Sequence, residues 1–380
     1  MKKGWQTKTI GDVCEVIAGQ SPEGKFYNAE GKGMPFYQGK KDFGDKFIEA
    51  PTTWTTQTTK IAKEGDILMS VRAPVGPVNF ATDEVCIGRG LAAIRSSDEL
   101  NRDFLFYQLW HLQPEIAGRE GAVFASINKA EIEALPLAYA PLAEQQRIVG
   151  LLDEAFEGLA TAKANAEKNL QNARALFESH LQSVFTQRGE GWVETTVGEI
   201  GKISMCKRIF KEETTATGDI PFYKIGTFGK EPDAFIPKQT YNEYRAKYSF
   251  PNKGAILISA AGTIGRRVRY NGEPAYFQDS NIVWIDNDEK QALNDYLYHF
   301  YGACAWNSTN GATIPRLYND NLRSISIGFP KSLQEQRRIV AQLDALTEET
   351  QRLARLYERK HAALEALKKS LLHQAFTGEL

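Results

Sequence analysis

The residues that could do chemistry in this sequence do not form a familiar catalytic pattern. Residues 19–25 nearly match a phosphate-binding loop, but Phe26 stands where such a loop needs Ser or Thr to hold Mg²⁺. There is no G-x-G-x-x-G dinucleotide motif and no H-E-x-x-H zinc motif, and the five histidines form no set with cysteines or carboxylates. Because no nucleophile has an orienting base, the sequence predicts a protein without catalysis or a metal of its own.

Basic side chains are the second group of residues that could have a function. They lie in the segments 40–46, 72–89, 202–211 and 266–269. The formal net charge is −1 and the pI is about 6.6, which argues against a general nucleic-acid coat but allows local basic faces. The alternative is that each cluster is an ordinary solvated face. All four lie in or beside segments that differ between two repeated halves, which favours binding.

The second half of the chain repeats the first. Residues 144–149 (EQQRIV) return 191 positions later as residues 335–340 (EQRRIV). Upstream, W-x-x-x-T recurs at residues 5 and 192, P-F-Y at residues 35 and 221, and G-x-I-L-x-S at residues 65 and 254. The offset far exceeds the roughly 20–50 residues of a solenoid repeat. The sequence therefore predicts two similar domains, each followed by a helix.

The two halves share the repeated motifs, which we call their frame, but the segments between these motifs differ. Residues 22–33, for example, do not resemble residues 209–218. A common scaffold that displays different segments is expected of two related domains that recognise different targets.

Each half ends in a long amphipathic helix. From residue 142 to about residue 187 there is no Pro, and apolar residues recur at alternating steps of four and three, as in a coiled coil. The first apolar seam is rich in Ala and is predicted to pass through Ala166 and Leu176, whereas the second is mostly Leu and includes Leu367. Because small residues facing large ones allow close packing, the helices are predicted to pair antiparallel. The alternative is that each pairs with another protein.

The rest of each half is predicted to be mostly β-structure with short helices. Apolar runs at 65–71, 75–80, 254–259 and 282–285 favour strands, while 102–113 and 290–301 favour helices with aromatic residues in the core. Asp153 and Glu154 are interpreted as solvated charges. The predicted class is α+β with a pseudo-twofold repeat: globular domains at 1–141 and 189–330, a central helix at 142–188 and a C-terminal helix at 331–380.

Three features bear on where the protein acts. Its first residues lack an apolar leader, and no apolar run approaches the roughly 18–20 residues that span a bilayer. The four cysteines are scattered and form no C-x-x-C. A cytoplasmic protein with reduced thiols and no membrane association is expected.

Residues 140–149 (APLAEQQRIV) closely resemble the start of the central spacer helix in specificity subunits of type I restriction–modification systems. Residues 329–340, the ending HQAFTGEL and each G-x-I-L-x-S turn are also similar to that family. The second half continues with the family's G-T-I-G at 262–265, but the first half reads A-P-V-G at 73–76. The first loop is therefore expected to contact DNA differently or not at all. The resemblance covers essentially the whole chain.

The resemblance implies that each half carries a target recognition domain for one part of a split, asymmetric DNA site. The helices would set the number of unread base pairs between the parts. The subunit would have no catalysis of its own. Its implied partners are double-stranded DNA, two modification subunits that bind S-adenosylmethionine and methylate adenine, and restriction subunits that use ATP and Mg²⁺. No cofactor is expected in this chain.

The predicted DNA contacts lie near turns of the recognition domains, because Arg and Gln suit base edges and Lys suits phosphates. In the first half they are Gln38, Lys40, Lys41, Ser70, Arg72 and Arg89. In the second half they are Lys207, Arg208, Lys211, Lys224, Ser259, Thr263, Arg266, Arg267, Arg269 and Arg316. The predicted contacts to the modification subunits are in the repeated helix motif: Gln145, Arg147, Gln336, Arg337 and Arg338.

Two other functions remain open on the sequence alone. A protein-binding scaffold would use its two domains for two protein ligands and would show no DNA specificity. A complete restriction–methylation enzyme would need methyltransferase and nuclease motifs. The sequence lacks the Asn/Asp-Pro-Pro-aromatic motif of amino-methyltransferases, which disfavours that second alternative.

Overall fold

The computed structural model of the chain describes residues 4–117, 126–186, 189–304, 306 and 316–380. The chain forms two compact units, of which unit 1 comprises residues 1–167 and 358–380 and unit 2 comprises residues 168–357. Each unit thus contains one globular half and part of each long helix. Positions 187 and 188, at the end of the predicted central helix, lie outside the described residues. In the described parts of the chain, no helix is both long enough and apolar enough to cross a membrane.

Unit 1 is built from short strands and from helices of very different lengths. Its strands are β1 Gln6–Thr9, β2 Cys14–Ala18, β3 Tyr27–Asn28, β4 Met34–Tyr37, β5 Trp54–Thr55, β6 Ile61–Ala62, β7 Ile67–Ser70, β8 Val78–Phe80, β9 Val85–Ile87, β10 Leu91–Ser96 and β11 Pro136–Tyr139. Its helices are α1 Ile10–Val13, α2 Arg102–Ala117, α3 Lys129–Glu133 and the start of α4 Leu142–Thr186. The strands pair in the orders β1-β11, β2-β10-β7-β8 and β3-β5-β4-β9-β6.

The four-stranded sheet of unit 1 is buried on both faces. Ile67 and Met69 of β7 pack into a core with α2 and α4, whereas Leu68 between them packs on the opposite side with Tyr37 and Ile87. Successive side chains of a strand point to opposite faces. A continuous apolar run such as residues 67–69 is therefore what a strand covered on both sides requires.

Unit 2 repeats this architecture. Its strands are β12 Trp192–Thr196, β13 Lys202–Ser204, β14 Ile220–Tyr223, β15 Phe235–Ile236, β16 Ile256–Ser259, β17 Arg267–Arg269, β18 Tyr276–Phe277, β19 Ile282–Asp286 and β20 Ser326–Pro330. Its helices are α5 Val197–Ile200, α6 Lys238–Lys247, α7 Asn294–Ala303, α8 Asn319–Arg323 and the start of α9 Leu333–Thr377. The strand orders β12-β20 and β13-β19-β16-β17 match two of those in unit 1, and β15-β14-β18 corresponds to the central β5-β4-β9 of the five-stranded sheet of unit 1. The predicted α+β class with an internal repeat is confirmed.

The long helices anchor through both of their ends. In unit 1 the start of α4 packs into the core through Ile148 and Leu152, beside Leu372 near the end of α9. In unit 2 the start of α9 does so through Ile339 and Leu343, beside Leu181 near the end of α4. Within each unit, a helix start therefore lies next to a helix end, which is the predicted antiparallel arrangement. An ion pair of 3.5 Å between Lys163 and Glu365 extends this pairing in unit 1.

The predicted seams are wrong at three leucines, one of which, Leu346 in the second seam, is 37% exposed. Leu176 is 71% exposed, and the neighbouring Phe177 packs against the core of unit 2 instead. Leu367 is 48% exposed. Neighbouring helix positions are about 100° apart around the axis, so a seam chosen one position early faces solvent. The sequence pattern offered two apolar residues at 176 and 177, and the second packs against the core of unit 2.

Candidate DNA interface

In unit 1, three chain turns meet at the carboxyl ends of β4 and β7. The amide of Gly88 donates to the Tyr37 carbonyl at 2.8 Å, and the amide of Val71 donates to the Gly90 carbonyl at 3.0 Å. A Cβ on Gly90 would lie 2.2 Å from the Gln38 carbonyl oxygen, so only glycine permits this approach. These contacts bring three exposed side chains of the predicted interface together: Gln38, Arg72 and Arg89.

Unit 2 has the same backbone skeleton. The amide of Gln278 donates to the Tyr223 carbonyl at 2.9 Å, and the amide of Ala260 donates to the Asn281 carbonyl at 2.8 Å. The amide of Leu317 donates to the Ala260 carbonyl at 2.8 Å, just as the amide of Ile127 donates to the Val71 carbonyl in unit 1. The connection between the two strands is one residue longer in unit 2, where it spans 278–281 rather than 88–90. The repeated motifs therefore form the same kind of hydrogen-bonded backbone frame in both units.

The side chains on the two frames differ in chemistry. Arg72 faces Ser126 across an isolated bridge in unit 1, and the corresponding bridge in unit 2 joins Ala261 to Arg316. Thus the arginine lies on one strand in unit 1 and on the opposite one in unit 2. After the repeated P-F-Y motif stands Gln38 in the first half and Lys224 in the second. Because donors and acceptors are placed differently, the two frames would suit different base edges.

Polar partners orient the basic side chains of unit 2. Arg208 forms an ion pair with Asp279 at 2.8 Å, and this hydrogen bond raises the pKa of Arg208. Arg316 donates to the Asn281 side chain at 3.0 Å, and Lys224 lies 2.9 Å from Asp233. The structure thus places Arg208, Lys224 and Arg316 around the 278–281 turn.

The remaining predicted lysines lie on exposed one-turn helices or next to an aromatic ring. Lys40 and Lys41 are exposed on the 3₁₀-helix Lys40–Asp42, and Lys211 opens the 3₁₀-helix Lys211–Glu213. The Lys207 ammonium lies 5.3 Å from the centre of the Tyr248 ring. Such exposed cations can reach phosphates without specifying bases.

The two predicted serine contacts are wrong because both side chains are buried in turns. Ser259 Oγ donates to the Thr263 carbonyl at 2.6 Å and accepts from the Arg266 amide at 2.8 Å. Ser70 Oγ donates to the Arg72 carbonyl at 3.1 Å. The serines hold the turns closed, whereas the turn residues Thr263 and Arg72 are exposed.

The three neighbouring arginines of the second half do not form one basic face. Arg266 donates to the Phe228 carbonyl at 2.9 Å. Arg267 and Arg269 stack over the Tyr298 ring of α7, at 4.6 and 4.9 Å from its centre, and Arg269 also pairs with Asp295 at 2.8 Å. These cation–π contacts attach β17 to α7. The Arg269 side chain is still 43% exposed, so DNA contact by Arg267 and Arg269 stays a prediction.

The repeated glutamines were predicted to contact partner subunits, but both are fully buried. Gln145 accepts from the Asn101 amide at 2.7 Å and donates to the Ala140 carbonyl at 2.8 Å. Gln336 accepts from the Leu293 amide at 2.9 Å and donates to the carbonyls of Gln291 and Pro330, both at 2.8 Å. Each glutamine ties the start of a long helix to the segment before α2 or α7, so the partner-contact prediction is wrong for these two residues.

The arginines of the same motif stay at the surface. Arg147 pairs with Glu144 at 2.7 Å, and Arg338 pairs with Glu335 at 2.6 Å. Arg337 is exposed. These three residues remain available for a partner.

Two acidic residues outside the predicted sites, Asp153 and Asp344, form polar pairs with buried side chains. The Tyr107 hydroxyl donates to Asp153, which also lies 3.4 Å from the Lys46 ammonium. In unit 2, His299 Nε2 lies 2.9 Å from Asp344. The interpretation of Asp153 as a simply solvated charge is therefore wrong. The available signal was the recurrence of Asp five residues after the Ile of each repeated motif.

Burial of His299 predicts that unit 2 loses stability in mild acid. Burial lowers the pKa of His299, and the hydrogen bond to Asp344 only partly opposes it. A histidine with a depressed pKa contributes fully well above its unfolded pKa of about 6.5, and its contribution is lost as the pH falls from that value towards the lower folded pKa. Between pH 6.5 and 5.5 we expect a loss of up to about 1.4 kcal/mol per pH unit. Urea unfolding of the wild type and of His299→Gln at both pH values measures it, and equal pH dependence of the two proteins would contradict the expectation.

Comparison with known proteins places this geometry in a family. The family model "Type I restriction modification DNA specificity domain" matches residues 2–170 and again residues 189–358. The chain is 42% identical over 273 residues, 70% of each protein, to the Haemophilus influenzae protein named "Putative type I restriction enzyme specificity subunit S.HindORF215P". It is also 24% identical over 368 residues to the "Type I restriction enzyme MjaIX specificity subunit" of Methanocaldococcus jannaschii, covering 86% of this chain and 83% of that one.

Two solved structures share the fold at low identity. One is a chain from a study of complex assembly and conformational transition of the type I R-M system, with a TM-score of 0.82, 19% identity and coverage of 100% and 99% of the two chains. The other is the HsdS subunit of Thermoanaerobacter tengcongensis, with a TM-score of 0.63, 18% identity and coverage of 100% and 98%. With the family model matching both halves, the chain belongs to the type I restriction–modification DNA specificity family and is a specificity subunit with two tandem specificity domains.

Proposed function

We propose that each unit reads one part of a split, asymmetric DNA site through the end of its four-stranded sheet. The observation that carries this proposal is that the same frame is built twice with different side chains. These are the exposed Arg72 and Arg89 in unit 1, and the exposed Arg208 and half-buried Arg316 in unit 2. Similar frames would present their side chains to DNA in similar ways, and different donors would give different half-sites. Lys40, Lys41, Lys207 and Lys211 would contact phosphates and set the register.

We further propose that the long helices act as the ruler between the half-sites. Each is 45 residues long, which corresponds to about 68 Å at 1.5 Å per residue. Half-sites one turn of DNA apart are separated by roughly 34 Å, so rods of this length are sufficient to span the gap.

The subunit is proposed to be non-catalytic and to bring the catalytic subunits to DNA. Its partners would be two modification subunits, which carry S-adenosylmethionine, and restriction subunits, which use ATP and Mg²⁺. Arg147, Arg337 and Arg338 are candidate contacts, since all three lie on exposed surfaces of the first turns of α4 and α9. With a net charge of −1, the chain alone should bind DNA weakly and lose affinity steeply with salt.

Mapping methylated adenines by long-read sequencing tests the proposal directly. A host that carries this chain and its modification subunit should methylate a two-part sequence with a constant gap. Methylation with no two-part motif, or with no dependence on this chain, would contradict the proposal and favour a protein-binding scaffold.

Arginine substitutions on one frame should relax one half-site only. We expect Arg72→Ala with Arg89→Ala to lower discrimination at the half-site read by unit 1, by about 1–3 kcal/mol for each base that an arginine no longer reads. Arg208→Ala with Arg316→Ala should do the same for the other half-site. The readout is the base preference at each position of the methylated motif.

The control for this comparison is Lys290→Ala. Lys290 is an exposed lysine of unit 2 at the opposite end of β19 from the 278–281 turn, and its side chain is 81% exposed. It should leave both half-sites unchanged. Equal loss at both half-sites in the arginine variants would indicate a general charge effect and would contradict the assignment.

A further inference from the structure

Asp153 lies near the end of the part of α4 that packs on the core of unit 1, just before Phe156, whose ring centroid lies 5.3 Å from that of Tyr107. Leu152, the residue before it, is 1% exposed, and the next fully buried residue along the helix is Ala166. The Asp153 carboxylate accepts a hydrogen bond from the hydroxyl of Tyr107, a 3% exposed residue of α2. Lys46 adds a second link, because its ammonium lies 3.4 Å from Asp153 and 2.9 Å from Asp103 of α2.

Asp344 holds the same position on α9 in unit 2. It follows Leu343, which is 1% exposed, and the next buried residue that the structure describes on that helix is Leu372. Its partner is the buried His299 of α7, at 2.9 Å. The other charges that face His299 are those of Arg267 and Arg269 on β17. The acid therefore recurs in both units, while its partner changes from a tyrosine to a histidine.

The hydrogen bonds of Asp153 and Asp344 are directional, so they can restrict the orientation of each helix in a way that apolar packing alone does not. The contacts of Ile148 and Leu152, or of Ile339 and Leu343, hold each helix start against its core. Hydrophobic attraction is non-directional, so it tolerates small rotations of a helix on the surface beneath it. A hydrogen bond weakens steeply when its angle departs from linearity, and a bond from the core to this part of the helix therefore restricts the tilt of the helix.

Small tilts matter because the helices are long. From Asp153 to the end of α4, and from Asp344 to the end of α9, 33 residues remain. That is about 50 Å of helix, so a tilt of about 10° would displace the far end by about 9 Å. The displacement corresponds to between two and three base pairs at 3.4 Å per step.

We propose that Asp153 and Asp344 are positioning residues that fix the direction in which each long helix leaves its recognition domain, and that they thereby narrow the range of gap lengths the subunit accepts. The inference rests on the proposed function of the helices as a ruler. Neither residue contacts DNA in this scheme. Their effect reaches the DNA only through the helix.

The test uses the full chain with its modification subunit and reporter DNAs that carry both half-sites with gaps shortened or lengthened by one and two base pairs. Asp153→Ala and Asp344→Ala remove the acceptor, and we expect preference for the native gap to fall about tenfold, as for the loss of one hydrogen bond to a charged group. Tyr107→Phe should broaden the gap preference as Asp153→Ala does. Asp153→Asn and Asp344→Asn keep an acceptor oxygen, so these variants should keep most of the preference for the native gap.

The controls separate a positioning role from a purely structural one. Glu154→Gln and Glu348→Gln alter neighbouring exposed acids on the same helices and should leave the gap preference unchanged. If the alanine variants lose thermal stability but keep the native gap preference, the inference is overturned. If the wild type itself methylates without regard to the gap, the ruler proposal fails as a whole. If the wild type strongly prefers its native gap and every variant keeps that preference, the ruler proposal stands and only the role of the two aspartates is overturned.

Discussion

A matched four-residue insertion in both long helices should lengthen the DNA gap that the subunit accepts by about two base pairs. Four residues add about 6 Å to a helix, and one base-pair step is about 3.4 Å. The insertions belong after Ala162 in α4 and after Glu365 in α9. Lys163 and Glu365 form an ion pair of 3.5 Å, and insertion at these points leaves the two residues level with each other. Methylation-site sequencing measures the gap directly.

The design contains its own controls. An insertion after Ala162 alone should weaken methylation without producing a new defined gap, because one helix is then out of register with the other. A matched insertion of seven residues keeps the heptad phase and should lengthen the gap by about three base pairs. If both matched variants methylate efficiently with the original gap, the helices do not act as the ruler.

Replacing a buried motif glutamine by alanine should destabilise the unit that contains it. Gln336→Ala would leave the Leu293 amide and the carbonyls of Gln291 and Pro330 without their bonds to this side chain. An orphaned buried polar group costs roughly 1–3 kcal/mol, so we expect a loss of about 3 kcal/mol in the free energy of unfolding. Urea unfolding measures the total, and hydrogen exchange at the Leu293 amide reports the local change.

Each motif supplies a matched surface control. Arg337→Ala alters the exposed neighbour of Gln336, and Gln146→Ala alters that of Gln145. Surface changes of this kind usually stay within about 0.5 kcal/mol. If Gln336→Ala assembled poorly with modification subunits but unfolded like Arg337→Ala, the glutamine would be a partner contact after all, and the structural role assigned to it would be wrong.

The repeat and its frame could be predicted from the sequence because they depend on local pattern. The apolar run at β16 and the glycines that close the following turns require one backbone conformation wherever they occur. Gly76 and Gly265 have φ values of +101° and +81° at corresponding positions, in the left-handed region that favours glycine. The α6 helix, by contrast, was not predicted. Its sequence KQTYNEYRAK has a single buried residue, Tyr241, and so lacks a clear apolar stripe.

Candidate contacts were predicted less well because residue type does not determine exposure. Ser70 and Ser259 were chosen as polar residues at turns, yet both are turned inward to satisfy backbone groups. Arg267 was chosen for its charge, but its ring contact with Tyr298 depends on how α7 packs beside β17. Both outcomes follow from contacts between segments far apart in the chain, which spacing alone does not encode.

By itself, the sequence determined that this protein has two related halves, two long helices and different surface segments on a common frame. Those properties follow from periodicity, turn residues and repetition, which act over short stretches of chain. Tertiary structure decided which members of each motif are buried in the fold and which stay at the surface. Gln145 and Arg147 are two positions apart, yet helix geometry points one into the core and the other to solvent. Burial then converts the first into a structural residue, because an amide withdrawn from water must find all its hydrogen bonds within the protein.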